Sequence, residues 1–186
     1  MSHYFIGIQI GSILAKQLSD WKVGLEKCLP YKQWTDKSDF HITLAFLGEV
    51  DEKSIELLKN KLQSISAYPA FEIERTSIGT FGQRQRPRVL WLGAEKNSIL
   101  LQVQEEVTQI SESIGYKKES RPYTPHITIA KKWASDDKML TEDIWKEILY
   151  NMPALDDKIK VDAIQLFKVH PTSKPKYEIV QSFPLH

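Results

Sequence analysis

One five-residue sequence occurs twice in this chain, and each copy places a threonine two residues after a histidine. Residues 41–45 read His-Ile-Thr-Leu-Ala, and residues 126–130 read His-Ile-Thr-Ile-Ala. The copies differ by a single Leu/Ile exchange, in a chain that contains only five histidines. Such a match indicates an internal duplication. A histidine beside a hydroxyl can transfer protons and bind phosphoryl oxygens.

The chemistry of these residues follows from the period of a β-strand. Side chains alternate between faces, so His41 and Thr43 point to one face while the aliphatic residues point to the other. His126 and Thr128 share a face in the same way, and we expect the alanine that ends each copy to leave space there. If a pseudo-two-fold axis relates the halves, both pairs converge on one groove. An unperturbed imidazole has a pKa of about 6.5, so one ring accepts a proton while the other donates.

Two other roles for the histidines stay open from the residues alone. Each could be an ordinary buried or surface group, or the two could bind a metal ion. Zinc is weakly supported because the chain has one cysteine, Cys28, and no His-x-x-x-His spacing. We therefore expect neither a metal nor a cofactor. The single cysteine also excludes an intramolecular disulfide framework, and a reducing cytoplasm is the simplest location.

Composition and charge limit the other classes of protein. The chain has 186 residues, 41% of them hydrophobic and 26% charged, which suits one globular domain over residues 1–186. We expect a monomer with no obligate protein partner. No apolar run approaches the ~18 residues of a membrane span, and the N-terminus reads as a strand rather than a signal peptide.

Net charge is +1, but basic residues cluster at 83–88 and 117–132, which fits a short phosphate ligand better than a long duplex.

The elements that must position these residues are alternating strands and amphipathic helices. Strands are predicted at 3–10, 32–35, 40–47, 71–81, 89–92, 126–130, 159–169 and 177–183. Helices are predicted at 13–28, from the Asp51 cap to Pro69, from the Asn97 cap to Gly115, and from Thr141 through Ile148. Several strands follow one another without a helix, and no glycine-rich phosphate loop follows the first strand. The pattern therefore favours an α+β fold with antiparallel sheets over a parallel doubly wound fold.

The paired motifs and their flanks resemble the 2H phosphoesterase superfamily, most closely its bacterial RNA 2′,3′-cyclic phosphodiesterases, which are also named 2′-5′ RNA ligases. The matching segments are 5–8, 40–48, 79–81, 87–91, 121–128, Tyr177 and 183–185. The resemblance implies a bilobed fold of two antiparallel sheets with helices packed outside and the catalytic groove between the sheets. The internal repeat adds the expectation that a pseudo-two-fold axis relates the two lobes.

The resemblance also implies a reaction. Water attacks the phosphorus of a 2′,3′-cyclic phosphate, the 3′ oxygen leaves, and a 2′-phosphate remains. By analogy His126 is the base and His41 the acid, although the sequence does not distinguish this from the reverse assignment. Thr43 and Thr128 would hold the non-bridging oxygens. Weak RNA ligation is the reverse transfer, and we expect hydrolysis to dominate because water is far more concentrated.

Further residues are candidates for binding the substrate. Arg84 and Arg86 lie in a basic loop near the expected groove, Arg121 precedes the second motif, and Tyr123 could stack on a base. Lys131 stands five residues after the second histidine, where the family often has arginine; lysine neutralises phosphate without the bidentate fork. Each has a plain alternative as a solvated or core residue.

Two other functions stay open beside the cyclic phosphodiesterase. One is an RNA-binding module with little catalysis, which the intact histidines and threonines of both copies argue against. The other keeps the enzyme and changes its substrate to a different small nucleotide, such as an ADP-ribose cyclic phosphate or a 2′-5′ linked oligonucleotide. The expected partners are therefore RNA ends or nucleotides that carry a cyclic phosphate.

Overall fold

The computed structural model describes residues 2–155 and 158–186, and it confirms an α+β fold with antiparallel strand pairing. The helices are α1 (Ser12–Cys28), α2 (Glu52–Lys61), α3 (Ser98–Ser113) and α4 (Glu142–Tyr150). The strands are β1 (Ser2–Gln9), β2 (Tyr31–Trp34), β3 (His41–Val50), β4 (Phe71–Gly82), β5 (Pro87–Ala94), β6 (His126–Trp133), β7 (Lys158–Val161), β8 (Ala163–Val169) and β9 (Tyr177–Pro184). Short 3₁₀ segments cover Lys37–Asp39 and Leu62–Ala67.

Side-chain caps fix where three of the helices begin, as the sequence predicted. Asp51, Asn97 and Thr141 each accept a hydrogen bond from the backbone N–H three residues further on. At the end of α3, Gly115 has a φ of +96°, the left-handed conformation that glycine adopts readily. The helix after Asp51 is shorter than predicted, because its last part is the 3₁₀ segment. Among the described residues, no helix is long and apolar enough to cross a membrane.

The strands form one hydrogen-bonded path with the two motif strands at its centre. The order is β7-β4-β5-β6-β3-β1-β8-β9, with β2 paired to the outer part of β6. Along this path β3 and β6 are joined through one residue pair, Ile42 with Ile127. The two sheets expected from the resemblance are thus two halves of a continuous path that meet at a single pair. The pseudo-two-fold axis and the division into two lobes stay predictions.

The path curls strongly, and this explains an error in the predicted elements. Residues 159–169 were expected to form one strand, but the chain breaks at Asp162 into β7 and β8. β7 pairs with β4 and β8 pairs with β1, which lie in opposite halves of the path. Since β7 and β8 are one residue apart in the chain, these two parts of the path must lie side by side. A hydrophobic pattern reports burial and does not report a change of partner strand.

A close backbone approach at Gly7 in β1 can be tested by mutation. A Cβ built there would lie 2.6 Å from the carbonyl oxygen of Ile42 in β3. Gly7→Ala should destabilise the protein by about 1–3 kcal/mol, because a strand must move. Gly24→Ala is the matched control, since Gly24 lies inside α1 with no atom within 4 Å of its added Cβ. It should gain about 0.5–1 kcal/mol. Denaturant unfolding measures both, and equal effects of the two changes would contradict the close approach.

Candidate active site

One cavity of about 840 Å³ brings both histidine–threonine pairs together. His41 and Thr43 line it from β3, and His126 and Thr128 line it from β6. The isoleucine between each pair is fully buried on the other face of its strand, as the alternation predicted. The cavity also has walls from the β4–β5 hairpin, from α3 and from the loop that follows α3. Its volume is in the range of sites for small organic ligands.

The ring of His41 is held in one orientation by hydrogen bonds to both nitrogens. Nδ1 lies 2.7 Å from the backbone carbonyl oxygen of Asp39, and a carbonyl only accepts, so Nδ1 carries the proton and donates it. Nε2 lies 3.1 Å from the Thr43 hydroxyl oxygen. In the neutral ring Nε2 accepts from that hydroxyl, so the basic nitrogen of His41 is on the threonine side of the ring.

His126 is anchored by the same geometry in the second copy. Its Nδ1 donates to the backbone carbonyl of Thr124, also two residues earlier in the chain, at 2.7 Å. Aromatic rings pack on both histidines: Phe81 lies 4.9 Å from His126 between ring centroids, while Phe5 lies 4.6 Å from His41. The repeated sequence therefore repeats the Nδ1 hydrogen bond and the aromatic packing, and in each copy Nε2 is the basic nitrogen available for proton transfer, with Nε2 of His41 also contacting Thr43.

Burial keeps both imidazoles neutral at pH 7. The pKa of His41 is lowered to about 4, mainly by loss of solvation and also by the positive charges of Lys131 and of protonated His126, while the hydrogen bond to the Asp39 carbonyl acts in the opposite direction. Burial also lowers the pKa of His126, again with help from Lys131 and against the carbonyl of Thr124. His41 is the more strongly affected ring, and it packs against three aromatic residues, Phe5, Phe167 and Tyr177.

A β-bulge at the same position of each motif changes which residues face the cavity. The register shifts in β3 at Leu44 and in β6 at Ile129, so one extra residue is inserted three positions after each histidine. After the bulge in β6, Ala130 is fully buried and Lys131 returns to the cavity. The expectation that Ala130 leaves space on the histidine face was wrong, because the bulge reverses the alternation.

Phe46 is the residue that the bulge in β3 exposes, and it was not among the predicted site residues. Strict alternation along β3 would place Phe46 on the apolar face with Ile42, but Phe46 is 56% exposed and lines the cavity. Phe46 and Lys131 each stand five residues after a motif histidine, so the two copies present an aromatic ring at one position and a cation at the equivalent one. The equal spacing in the two copies was a signal present in the sequence.

The cavity is positively charged on several sides. Burial lowers the pKa of Lys131, and the nearby Lys176 and Lys132 lower it further. Among the described residues, no carboxylate pairs with Lys131, Arg88 or Lys117. Hydroxyls, unpaired cations and two basic nitrogens together suit an anion whose reaction needs proton transfer. Across residues 2–155 and 158–186, no three His, Cys, Asp or Glu side chains are grouped to hold a metal ion.

The other predicted binding residues divide into two groups. Arg121, Tyr123 and Lys131 line the cavity, and Arg121 also contacts Glu119 at 3.1 Å. Tyr123 packs against the core, and its hydroxyl is buried without a partner among the described residues. These contacts leave the base-stacking role of Tyr123 a prediction.

The structure places Arg84 and Arg86 away from the cavity that holds the histidines. They line a smaller surface pocket, where Arg84 pairs with Glu142 and Arg86 donates to the backbone carbonyl of Asp136. Their loop bonds to the segment before α4, so it turns away from the motif strands; Arg88 in β5 is the arginine of this region that reaches the cavity. The charge pattern identified a basic loop but carried no information on its direction.

An antiparallel α+β fold with two His-x-Thr strands around one cavity is the architecture expected for a 2H phosphoesterase. The family model of the 2'-5' RNA ligase superfamily matches residues 13–172 of this chain. The chain belongs to this superfamily, which confirms the resemblance seen in the sequence.

Relatives from several bacteria are similar over almost the whole chain. The RNA 2',3'-cyclic phosphodiesterase of Bacillus subtilis (strain 168) is 35% identical over 184 residues, which cover 98% of this chain and 96% of that protein. The protein of the same name from Geobacillus stearothermophilus is 33% identical over 185 residues. That match covers 99% of this chain but 57% of the relative, so the chain spans little more than half of the Geobacillus protein.

Solved structures share the fold at low sequence identity. LigT of E. coli complexed with 3'-AMP superposes with a TM-score of 0.80 at 21% identity, covering 99% of this chain and 98% of LigT. TT0787 of Thermus thermophilus also gives a TM-score of 0.80, at 19% identity and with 98% and 97% of the two chains covered. These similarities confirm the overall fold.

The effect of Lys131 on both histidines provides a test of the site's geometry. Lys131→Met should raise the pKa of His41 and of His126, because the cation that disfavours each imidazolium is removed. NMR titration of the imidazole protons measures both values. Lys118→Met is the control, since that ammonium lines the same cavity but pairs with Glu105 at 2.8 Å. If neither histidine responds to Lys131→Met, the ammonium does not lie beside the rings.

Proposed function

We propose that this chain hydrolyses the 2′,3′-cyclic phosphate of an RNA end or a nucleotide to a 2′-phosphate, by general acid–base catalysis without a metal. The observation that most directly supports this reaction is the shared geometry of His41 and His126. Each donates its Nδ1 proton to a backbone carbonyl, which makes Nε2 the basic nitrogen of each ring beside the same cavity. The name of the Bacillus subtilis relative supports the choice of reaction.

Two histidines are sufficient to move the protons that this reaction requires. One neutral Nε2 accepts a proton from water as the water oxygen forms a bond to phosphorus. The bond from phosphorus to the 3′ oxygen breaks, and that oxygen takes a proton from the other, protonated histidine. The product is a 2′-phosphate beside a 3′-hydroxyl, and the two histidines have exchanged protonation states. Exchange with solvent restores the starting state.

The threonines and Lys131 would bind the phosphate. In the free protein the Thr43 hydroxyl donates to Nε2 of His41, and rotation toward a non-bridging oxygen would release that nitrogen. Thr128 lines the cavity at the equivalent position of the second copy. The Lys131 ammonium supplies a point charge without bidentate geometry.

The family resemblance assigns His126 as base and His41 as acid, and burial makes this assignment depend on the substrate. In the free protein the lower pKa of His41 means that His126 takes up a proton first. A bound phosphate brings negative charge to both rings and raises the pKa of each. His41 can then hold the proton that the leaving oxygen needs.

The nucleoside attached to the phosphate would contact the aromatic and basic walls of the cavity. Phe46 offers an exposed ring on which a base can stack, and Arg121 and Arg88 offer charge to further phosphates of an RNA strand. Both an RNA end and a smaller nucleotide fit this description.

We also propose that the chain acts as a monomer in the cytoplasm, a compartment that suits its single, exposed thiol, Cys28.

Removal of either histidine tests the proposed reaction. The protein is incubated in EDTA with nucleoside 2′,3′-cyclic phosphates and a short RNA ending in one, and 2′- and 3′-phosphate products are resolved. We expect a 2′-phosphate, and His41→Ala or His126→Ala should lower turnover by about a hundredfold or more. His170→Ala is the control, because His170 pairs with Glu178 at the surface and should keep full activity.

Three results would contradict the proposal. Near-normal turnover in either motif variant would remove that histidine from the mechanism. Activity that is lost in EDTA and restored by a divalent metal would overturn metal-free catalysis. RNA binding without any product would support the binding module instead.

The lowered pKa values predict the pH dependence of the reaction. Catalysis needs one protonated and one neutral histidine. In the free protein that state is most populated between the pKa of His41, about 4, and the pKa of His126, which burial lowers from the ordinary 6.5. The ratio kcat/KM should therefore peak in this acidic interval and fall roughly tenfold per pH unit above it. Initial rates at low substrate concentration measure the profile, and a maximum above pH 7.5 would be inconsistent with two buried rings.

A further inference from the structure

Asp39 is a buried carboxylate whose partners are backbone groups far away in the chain. Its side chain is 4% exposed, at the end of the 3₁₀ segment before β3. Both carboxylate oxygens accept from the N–H of Lys176 at 3.0 Å, and one also accepts from the N–H of Tyr177 at 3.1 Å. Among the described residues, no cation forms an ion pair with it. The carboxylate therefore ties the start of β9 to the start of the first motif.

The same residue contacts His41 in two ways. Its backbone carbonyl accepts the Nδ1 proton of His41 at 2.7 Å. Through its carboxylate it holds Tyr177, whose ring packs edge-on against the imidazole with centroids 5.0 Å apart and an interplanar angle of 84°. Tyr177 also packs edge-on against Phe5, 5.0 Å away between centroids, and Phe5 lies on His41 as well. One carboxylate thus fixes part of the aromatic cage around the ring.

The second motif is built without this contact. Thr124 occupies the position two residues before His126 and supplies the same backbone carbonyl. Within the described part of the chain, the Thr124 side chain makes no hydrogen bond, and the segment that contains it lies in a loop. The carboxylate is therefore not required for the Nδ1 hydrogen bond itself, and its contribution at His41 must lie in what it holds.

We propose that Asp39 is a positioning residue for His41, because its carboxylate holds Tyr177 against the imidazole and so keeps the ring oriented and shielded from water. The catalytic consequence rests on the proposed function, in which His41 transfers a proton. The positioning itself is a property of the free protein and does not depend on which substrate is used.

The sign of a change in the pKa of His41 separates this role from a direct charge effect. The titratable groups that face His41 are His126 and Lys131 of β6 and Tyr177 of β9, whose own pKa is raised by burial and by Asp39. If Asp39 acted by charge, neutralising it would remove an anion that favours imidazolium, and the pKa would fall. If it acts by holding Tyr177, removing its acceptor oxygens releases the N–H groups of Lys176 and Tyr177 and admits water to the ring, and the pKa rises.

The test is Asp39→Ala, which removes both the charge and the acceptor oxygens, with NMR titration of the imidazole protons in the absence of substrate. We expect the pKa of His41 to rise from about 4 toward the ordinary 6.5 while that of His126 stays at its wild-type value. Asp36→Ala is the matched control, because Asp36 begins the same 3₁₀ segment, its side chain caps only the Ser38 N–H and its loss should leave both values unchanged. A fall, or no change, at His41 in Asp39→Ala overturns the proposal.

Tyr177→Ala gives a second route to the same answer if Asp39→Ala fails to fold. It removes the ring and leaves the carboxylate, so it should raise the pKa of His41 in the same direction. In the double variant the two shifts should not add, since both act through one contact. Additive shifts, or no shift in Tyr177→Ala, would overturn the proposal.

Measuring turnover separates the positioning role of Asp39 from the proposed function of the chain. Asp39→Ala should lower kcat with little change in KM, because Asp39 is not among the residues that line the cavity. If the wild-type protein is inactive on cyclic phosphates while the titration behaves as expected, the proposed function fails and the positioning role stands.

Discussion

The pairing of Ile42 with Ile127 is the constraint on which the site depends. It is the one pair that joins β3 to β6 among the described residues, and both side chains are fully buried. Because each isoleucine separates a histidine from a threonine, burying it turns both polar neighbours toward the opposite face. A slip of one residue in either strand would bury the polar groups and expose the isoleucine. The hydrophobic effect acting on two aliphatic residues therefore sets the placement of four polar ones.

The bulges add asymmetry to a site that is otherwise repeated. Both copies form the bulge three residues after the histidine and both anchor Nδ1 on a carbonyl, so proton transfer is provided for in the same way on each strand. Beyond the bulge, however, Phe46 replaces the cation found at Lys131. A nucleotide has the same asymmetry, since an apolar base is attached to an anionic phosphate. The repeated motif thus accounts for the symmetric chemistry, and the difference at one position in each copy suits an asymmetric ligand.

The parts of the site that sequence could predict are those that depend on local periodicity. Alternation in the two motifs placed all four polar side chains in one cavity, and capping residues located the starts of α2, α3 and α4. The failures share a different cause. Ala130, Phe46 and the break at Asp162 all depend on pairing with distant strands, and a strand that changes register or partner keeps the same apparent pattern. Asp39 was missed for the same reason, because its partners lie more than 130 residues away.

Burial among aromatic rings and beside Lys131 lowers the proton affinity of both His41 and His126. Water would stabilise each imidazolium, and the cavity replaces that water with rings such as Phe5 at His41 and Phe81 at His126. The free protein therefore holds two neutral rings and an uncompensated ammonium, which together favour entry of an anion. Once a phosphate is bound, its charge offsets that of Lys131 and makes protonation of a histidine less costly. The walls that make the rings poor bases in isolation thus make their protonation depend on a bound anion, and the proposed contact of Asp39 with Tyr177 would strengthen that dependence at His41.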